Sequence, residues 1–144
     1  MEILIGQGVE NVRFGMVESE IRLALGDPDR VWEAEEVRHL VYNDEYLDLW
    51  VNQGEEKRLE WFSTTNPKLT ISGRSLIGER ESETLDFLRR ELKSENVDFE
   101  EFETFKSVTF SDHWLELHFE YDRLTTVNLG VLFDGDDEPV WPTP

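Results

Sequence analysis

The sequence contains no cysteine, so disulfide bonds and thiolate chemistry are excluded. It also lacks a long apolar run, because no window approaches the roughly 18 apolar residues that a membrane-spanning helix requires. The opening Met-Glu-Ile-Leu-Ile-Gly has neither the basic start nor the long apolar stretch of a secretory signal. The lack of cysteine suits a reducing compartment, and together these absences lead us to expect a soluble, cytoplasmic protein.

Basic residues are scarce: 14 Lys and Arg stand against 33 Asp and Glu, which gives a formal net charge of −19. The acids are spread along the whole chain. Such a charge repels nucleic-acid backbones and anionic membranes, so a charged macromolecular partner is expected to be a basic protein. Acidity that serves only solubility is the alternative. Aromatic residues make up 12% of the chain, too large a share for a disordered protein.

Signatures of catalysis are also missing, since the sequence has no phosphate-binding glycine loop, dinucleotide fingerprint or nucleophile elbow. Ser111, Asp112 and His113 are the residue types of a catalytic triad. Consecutive turn residues, however, cannot easily place the base between the nucleophile and the carboxylate. We therefore expect a protein without catalytic residues.

Two clusters raise the question of a metal. Glu116, His118 and Glu120 alternate on one predicted strand, so a metal-dependent enzyme centred on His118 is an alternative. A histidine among surface acids is far more often a solvated strand residue. The acidic run at 134–138 resembles part of a calcium loop, but its spacing is wrong for an EF-hand. We expect no cofactor and no bound metal.

The chain repeats itself. Residues 39–51 align without a gap on residues 107–119, and most pairs keep their chemical character at a constant offset of 68 residues. Three pairs are identical: Asp44/Asp112, Leu47/Leu115 and Leu49/Leu117. This pattern predicts two copies of one supersecondary unit, at 1–66 and 67–133, in a single compact body. The proline-rich acidic segment 134–144 is predicted to be a tail. Packing of its Trp141 against the body stays open.

Each copy is predicted to contain a strand, a helix and a three-stranded meander, which is an α+β fold. The first helix is expected at 16–25, where Val17, Ile21 and Leu25 lie on one face before a glycine and a proline stop it. Residues 33–36 and 95–103 are expected to be acidic connectors. The other predicted elements are a helix at 80–94 and strands at 3–5, 38–42, 46–52, 58–63, 69–73, 107–110, 114–121 and 124–131.

One stretch of the first copy carries a family resemblance. Phe14-Gly15-Met16, followed by Glu20-Ile21, Leu25-Gly26 and Pro28, resembles the helix-and-stop signature of small outer-membrane-assembly lipoproteins of the SmpA/OmlA type. In tandem the unit is similar to the β-lactamase-inhibitor-protein architecture. The resemblance implies two repeats joined into one curved antiparallel sheet, with helices packed on one face, and protein binding on the other face. It implies no catalytic residues. The chain departs from the pattern at Val17 and Arg80, where a hydroxyl helix cap is usual.

The repeat also sorts the two faces of the predicted strands. Positions that are apolar in both copies should face the helices, and strand alternation then turns their neighbours outward. The inward pairs are Leu40/Val108, Tyr42/Phe110, Leu47/Leu115, Leu49/Leu117 and Val51/Phe119. The outward set combines large aromatics with carboxylates: Tyr46, Asp48, Trp50, Trp61, Trp114, Glu116, His118 and Glu120.

These outward residues are the candidate binding site. Buried interface tryptophans often contribute ~2 kcal/mol or more to binding, and nearby carboxylates steer a basic partner. The favoured hypothesis is a non-enzymatic module that occludes a basic protein, most concretely an immunity protein or inhibitor of a toxin such as a nuclease, whose cleft must be basic to hold a polyanion. The alternative is a homodimeric structural or adaptor protein that hides the same aromatics, and both monomer and homodimer stay open. It also stays open whether the tail or the other copy covers these aromatics.

Overall fold

The structure, a computed structural model, describes residues 1–54 and 56–142. Within those residues the chain forms two α-helices, α1 (Glu18–Leu25) and α2 (Glu81–Leu92), and two sheets rich in antiparallel pairs. The α+β prediction is therefore confirmed. No helix among the described residues has the length and apolar character needed to cross a membrane.

The strands are short, and most were expected within two residues of where they lie. In chain order they are β1 (Glu2–Leu4), β2 (Gly8–Val9), β3 (Val12–Arg13), β4 (Arg30–Glu33), β5 (Val37–Tyr42), β6 (Leu47–Asn52), β7 (Leu59–Thr64), β8 (Thr70–Ile71), β9 (Arg74–Ser75), β10 (Val97–Glu101), β11 (Lys106–Phe110), β12 (Leu115–Glu120) and β13 (Arg123–Gly130).

The sequence predicted one sheet, but the described residues contain two. Eight strands form a large antiparallel sheet in the order β10-β11-β12-β13-β7-β6-β5-β4. The remaining five form a small sheet in the order β3-β2-β1-β8-β9, in which β1 and β8 pair in parallel through Ile3 and Ile71. These strands have only two or three residues each. Gly6, at φ 76, turns the chain back after β1, in a conformation that glycine adopts without strain.

The predicted connectors at 33–36 and 95–103 were partly wrong, because each lies at or overlaps a strand at an edge of the large sheet. β4 pairs with β5, and β10 pairs with β11 over five residues. All four residues of β4 are exposed, as are four of the five in β10. A strand with little to bury shows no alternation of apolar and polar residues, which is why its sequence resembles a connector.

One hydrophobic core unites both sheets and both helices. It includes Ile3 and Ile71 from the small sheet, Ile21 from α1 and Leu88 from α2, all at most 2% exposed. All ten residues predicted to face inward on the two hairpins are buried, at no more than 3% exposure. Phe14 stacks on Phe62 of β7 with ring centroids 5.8 Å apart, which ties the N-terminal segment to the large sheet.

The segment predicted as a tail packs on the body over its described part. Trp141 is half-buried, and its ring lies 3.3 Å from the position that a Cβ on Gly15 would take. The Val140 N–H donates a hydrogen bond to the Leu132 carbonyl, and the Asp134 carboxylate accepts hydrogen bonds from the backbone N–H groups of Asp136 and Glu138. Thr143 and Pro144 lie outside the described residues. The predicted boundaries at 66 and 133 stay a prediction.

A charged cluster joins α1 to β5. The Glu18 carboxylate accepts hydrogen bonds from Arg38 Nε at 2.5 Å and from Arg22 Nε at 2.8 Å. Burial alone would raise the pKa of Glu18, but the hydrogen bonds and charges of Arg38 and Arg22 outweigh it, so the pKa lies below its usual 4.5. The same contacts with Glu18 raise the pKa of both arginines. The cluster therefore favours the charged state of all three side chains.

This cluster predicts how stability depends on pH. Because the pKa of Glu18 is lower in the folded chain, its ion pairs stabilise the fold fully above about pH 4.5 and stop doing so as pH falls through the folded value. We expect Glu18→Gln to lower the free energy of unfolding by about 0.5–1 kcal/mol at pH 7. Urea unfolding at pH 7 and at pH 3 measures the loss, which should shrink at pH 3.

Glu33→Gln is the matched control, since Glu33 also accepts a hydrogen bond from Arg38 but its side chain is 61% exposed. A surface pair of that kind is expected to contribute less than Glu18 does. A loss for Glu18→Gln that is equally large at pH 3 and pH 7 would contradict the charge-based account.

Candidate protein-binding face

The outer face of the large sheet carries the residues that the sequence selected as a binding site. Tyr46 and Trp114 are exposed at 54% and 48%, and Glu120 is exposed as well. The other five, Asp48, Trp50, Trp61, Glu116 and His118, are half-buried. Phe62 is fully buried, so alternation turns its neighbour Trp61 outward. Leu59 is buried too, because a bulge between Trp50 and Val51 shifts the pairing with β7.

Aromatic side chains form a continuous row across the strands of this face, which we name the aromatic row. Its members stand opposite one another from strand to strand: Trp32 on β4, His39 on β5, Trp50 on β6, Trp61 on β7 and, beyond Gly130 of β13, Trp114. His39 stacks on Trp50 with ring centroids 4.3 Å apart and planes 11° apart. Five strand spacings of ~4.8 Å make the row about 24 Å long.

Gly130 creates the space that Trp61 occupies. A Cβ at this position would lie 2.6 Å from Trp61 Cε3 and 3.6 Å from Trp114 Cβ. The indole of Trp61 therefore lies directly on the backbone of β13, beside Trp114. Glycine inside a strand often marks such a close approach.

We expect Gly130→Ala to displace Trp61 and to destabilise the fold by about 1–3 kcal/mol, the usual cost of overpacking. Thermal unfolding measures the loss, and the displaced indole should change the intrinsic fluorescence. Gly135→Ala is the control, because a Cβ there meets no atom within 4 Å. Equal stability of the two variants would contradict the packing described for Trp61.

The two most exposed predicted aromatics sit at the starts of strands. Tyr46 precedes β6 and Trp114 precedes β12, and both adopt a left-handed backbone, at φ 53 and φ 50. Trp114 also contacts Phe133 edge to face, with centroids 5.8 Å apart. Phe133 is itself 42% exposed, so the C-terminal segment extends the aromatic surface and leaves about half of Trp114 open to solvent.

Carboxylates form a second line of contacts beside the aromatic row. Glu116 accepts a hydrogen bond from Ser107 Oγ at 3.0 Å, and its Oε1 lies 2.6 Å from His118 Nε2. Asn128 Nδ2 lies 3.4 Å from the same histidine nitrogen. In the other half of the sheet, Asp48 Oδ1 is 3.3 Å from His39 Nε2. Each half of the face therefore holds one carboxylate beside one imidazole.

This polar cluster does not have the geometry of a hydrolase. Glu116 stands between Ser107 and His118, whereas nucleophilic catalysis needs the base between nucleophile and carboxylate. Ser111, Asp112 and His113 form a single 3₁₀ turn, as expected of consecutive turn residues. Glu116 contacts His118, whereas Glu120 lies exposed two residues further along β12. Over residues 1–54 and 56–142, no group of three or more such side chains could hold a metal ion.

The face is acidic as well as aromatic. Strand pairing places Asp98 opposite Thr109, and Glu100 opposite Ser107, so both acids point to the same side as Asp48, Glu116 and Glu120. A basic residue, Arg30, lies at the opposite edge, across from Val41. The carboxylates therefore extend from β6 to β10.

Sequence reasoning missed four aromatic or basic members of this face. Trp32 fell just before a predicted connector, so it was assigned to no face. His39 had a usable signal, since it precedes the inward-facing Leu40, yet it had no partner in the sequence. Phe133 lay at the boundary of the predicted tail. Phe105 stacks on Phe102 and tilts against His118, both at 4.6 Å, and no periodic pattern marks it.

Comparisons with solved structures identify similar folds at low sequence identity. An extracellular protein containing an SCP domain from Bacillus anthracis matches with a TM-score of 0.52 and 12% identity, over 89% of this chain and 48% of that chain. A DUF4309 family protein (YjgB) from Bacillus subtilis matches with a TM-score of 0.52 and 14% identity, over 88% of each chain. A cysteine-rich secretory protein from Staphylococcus aureus has a TM-score of 0.47 and 13% identity, over 78% of this chain and 42% of that chain.

These likenesses concern the fold alone. This chain spans about half the length of the Bacillus anthracis protein and most of the length of the DUF4309 protein. No protein-family model matches the sequence, and no curated protein matches it. One neighbour is an extracellular protein, but that location belongs to the neighbour, and the cytoplasmic location of this chain stays a prediction.

The comparisons overturn the resemblance drawn from the sequence. The structural neighbours are SCP-domain and DUF4309 proteins rather than outer-membrane-assembly lipoproteins or β-lactamase-inhibitor proteins. The motif that suggested those families covers only a short helix and its glycine stop, and α1 does end at Gly26 with φ 85. Such a stop is common to helices in many folds, so it carries little information about the family.

Proposed function

We propose that this protein is a non-enzymatic binding module whose outer sheet face occludes a basic protein partner. The observation that carries the proposal is the aromatic row, in which exposed Trp32 and Trp114 lie at the two ends and half-buried Trp50 and Trp61 lie between them. Tryptophan and tyrosine are the residues most enriched among interface hot spots. Four indoles are not expected on a sheet face that contacts only solvent.

Rigidity supports the same proposal. Trp61 is held against the backbone of Gly130, and Trp50 is held by stacking on His39. Side chains that are already fixed lose little entropy when a partner covers them, so more of the contact energy remains for binding. The exposed ends, Trp32 and Trp114, would then make the outer contacts about 24 Å apart.

Charge defines the class of partner. The net charge is −19, and Asp48, Asp98, Glu100, Glu116 and Glu120 line the face beside the indoles. Within a Debye length of ~8 Å at physiological salt, these carboxylates attract lysine and arginine and repel other anions. The most concrete form of the proposal is an inhibitor or immunity protein for a basic toxin such as a nuclease.

We also propose that the face is built on two copies of one unit, at 1–66 and 67–133. Equivalent positions at the helix starts support this: isolated bridges join Val17 to Arg58 and Arg80 to Arg123. Tyr46 and Trp114 are 68 residues apart and share a left-handed backbone. In this account the eight strands form one curved surface, and Trp50 and His118 are equivalent positions that make its two halves chemically different.

The experiment compares three immobilised proteins: the natural chain, Trp114→Ala and Leu23→Ala. Leu23 is 90% exposed on α1, so it is an apolar surface residue outside the proposed face. Each protein is exposed to lysate of the native host, and retained proteins are identified by mass spectrometry. We expect a basic protein that the natural chain and Leu23→Ala retain and that Trp114→Ala loses. Equal retention by all three would overturn the proposal.

Homodimerisation through the same aromatics is the competing outcome. Sedimentation equilibrium of the natural chain distinguishes the two, because a dimer that buries Trp50 and Trp114 leaves no face for another protein. We expect a monomer. A stable dimer that Trp114→Ala dissociates would replace the proposed function with that of a structural homodimer.

A further inference from the structure

The strand β10 forms one edge of the large sheet. It pairs with β11 on one side, and no described residue pairs with its other side. The pairing covers all five residues from Val97 to Glu101 in one continuous antiparallel register. An edge strand of this length exposes a row of backbone donors and acceptors that another chain can use.

Flanking hydrogen bonds identify which backbone groups point to the open side. Asn96 accepts a hydrogen bond from the backbone of Ser111, and Phe102 donates one to Phe105 at 2.8 Å. Since hydrogen-bonded pairs alternate along an antiparallel ladder, the even-numbered residues of β10 bond to β11. The N–H and C=O groups of Phe99 and Glu101 therefore point away from the sheet.

The side chains of this edge are acidic with an apolar centre. Asp98 and Glu100 point to the outer face, whereas Glu101 and Phe99, which is 49% exposed, point to the opposite face. Lys106 Nζ lies 5.1 Å from the Phe99 ring centroid, and its charge is already paired with Glu81, to which it donates a hydrogen bond at 2.9 Å. An incoming strand would therefore meet carboxylates and one open aromatic ring.

A groove of about 430 Å³ begins where β10 ends. Four carboxylates line it, those of Glu81, Glu101, Glu103 and Asp122, and Phe102 and Phe105 add aromatic rings. Lys106 supplies the single ammonium group of the lining. Phe102 is 47% exposed, so the groove offers a ring face as well as negative charge. A lysine or arginine side chain satisfies both through ion pairing and a cation–π contact.

We propose that β10 is a second binding site, which accepts an extended basic segment of a partner as an additional strand and takes one of its lysine or arginine side chains into the groove. Backbone hydrogen bonds to Phe99 and Glu101 supply the pairing, and the carboxylates select the charge. A second copy of β10 fits poorly, because its Asp98, Glu100 and Glu101 carboxylates would repel the same carboxylates of the first copy. The site shares Asp98 and Glu100 with the acidic part of the outer face, but it shares no residue with the aromatic row.

The test uses a synthetic peptide of about ten residues that alternates lysine and threonine, a length typical of a long strand. Amide hydrogen exchange of the full chain is measured with and without it. We expect slower exchange at Phe99 and Glu101. The same peptide with N-methyl groups on alternate amides cannot pair along one edge, and we expect it to bind at least about 10-fold more weakly. Equal binding of the two peptides, or protection confined to other strands, would overturn the proposal.

Protein variants give an independent readout. Phe99→Pro removes the outward N–H while leaving the bonds to β11, since proline is tolerated on edge strands. We expect it to bind the peptide more weakly than Phe99→Ala, which loses the ring but keeps the donor. Trp114→Ala should bind the peptide as the natural chain does, so failure of this site and failure of the outer face are separable. An alternating glutamate and threonine peptide that binds equally well would contradict the selection for basic segments.

Discussion

Trp114→Ala is expected to bind the proposed basic partner at least about 30-fold more weakly than the natural chain, which corresponds to about 2 kcal/mol. Trp114 is 48% exposed at one end of the aromatic row, with Phe133 on one side and Trp61 on the other. A partner that covers this side chain removes a large apolar area from water. Calorimetric titration against the captured partner measures the change.

Two controls separate this loss from a general effect. Leu23→Ala removes an apolar side chain that is 90% exposed on α1, and it should bind unchanged. Trp114→Phe keeps an aromatic ring and should recover part of the affinity. Weak binding by Leu23→Ala as well, or unchanged binding by Trp114→Ala, would contradict a partner site at the aromatic row.

Phe62→Ala is expected to lower the free energy of unfolding by about 3–5 kcal/mol, the usual cost of deleting a buried phenylalanine. Phe62 is fully buried at the middle of the large sheet, where it pairs with Leu49 and Leu129 and stacks on Phe14. It therefore joins the two halves of the sheet to the N-terminal segment. Urea unfolding followed by fluorescence measures the loss.

Phe99→Ala is the matched control, because it removes the same side chain from edge strand β10, where it is 49% exposed. We expect that variant to lose less than about 1 kcal/mol, as surface substitutions usually do. A loss as large as that of Phe62→Ala would mean that β10 contributes to the core, which the described burial does not allow.

The two hairpins were predictable because each buries one face and exposes the other. Leu47, Leu49 and Val51 alternate with Asp48 and Trp50, and that period of two determines both the strand and its orientation. The same alternation identified most of the candidate face. A strand that buries one face can therefore be predicted from the sequence alone.

The features that the sequence did not reveal depend on contacts between distant segments. Trp32 lies on the face because β4 pairs with β5. An exposed edge strand lacks the alternation of apolar and polar residues from which a strand is predicted. The position of Trp61 depends on a bulge between Trp50 and Val51 and on the absence of a Cβ at Gly130. The separate small sheet depends on a parallel contact between β1 and β8, nearly 70 residues apart along the chain.

Hydroxyl-radical footprinting of the chain alone and in complex with the captured partner shows whether the partner covers the outer face of the large sheet. It reads the solvent accessibility of Trp32 and Trp114 at the ends of the aromatic row, and of Leu23 on α1, in one measurement. We expect oxidation of both tryptophans to fall in the complex while oxidation of Leu23 is unchanged. Protection of Leu23 with both tryptophans still open would contradict binding at the outer face.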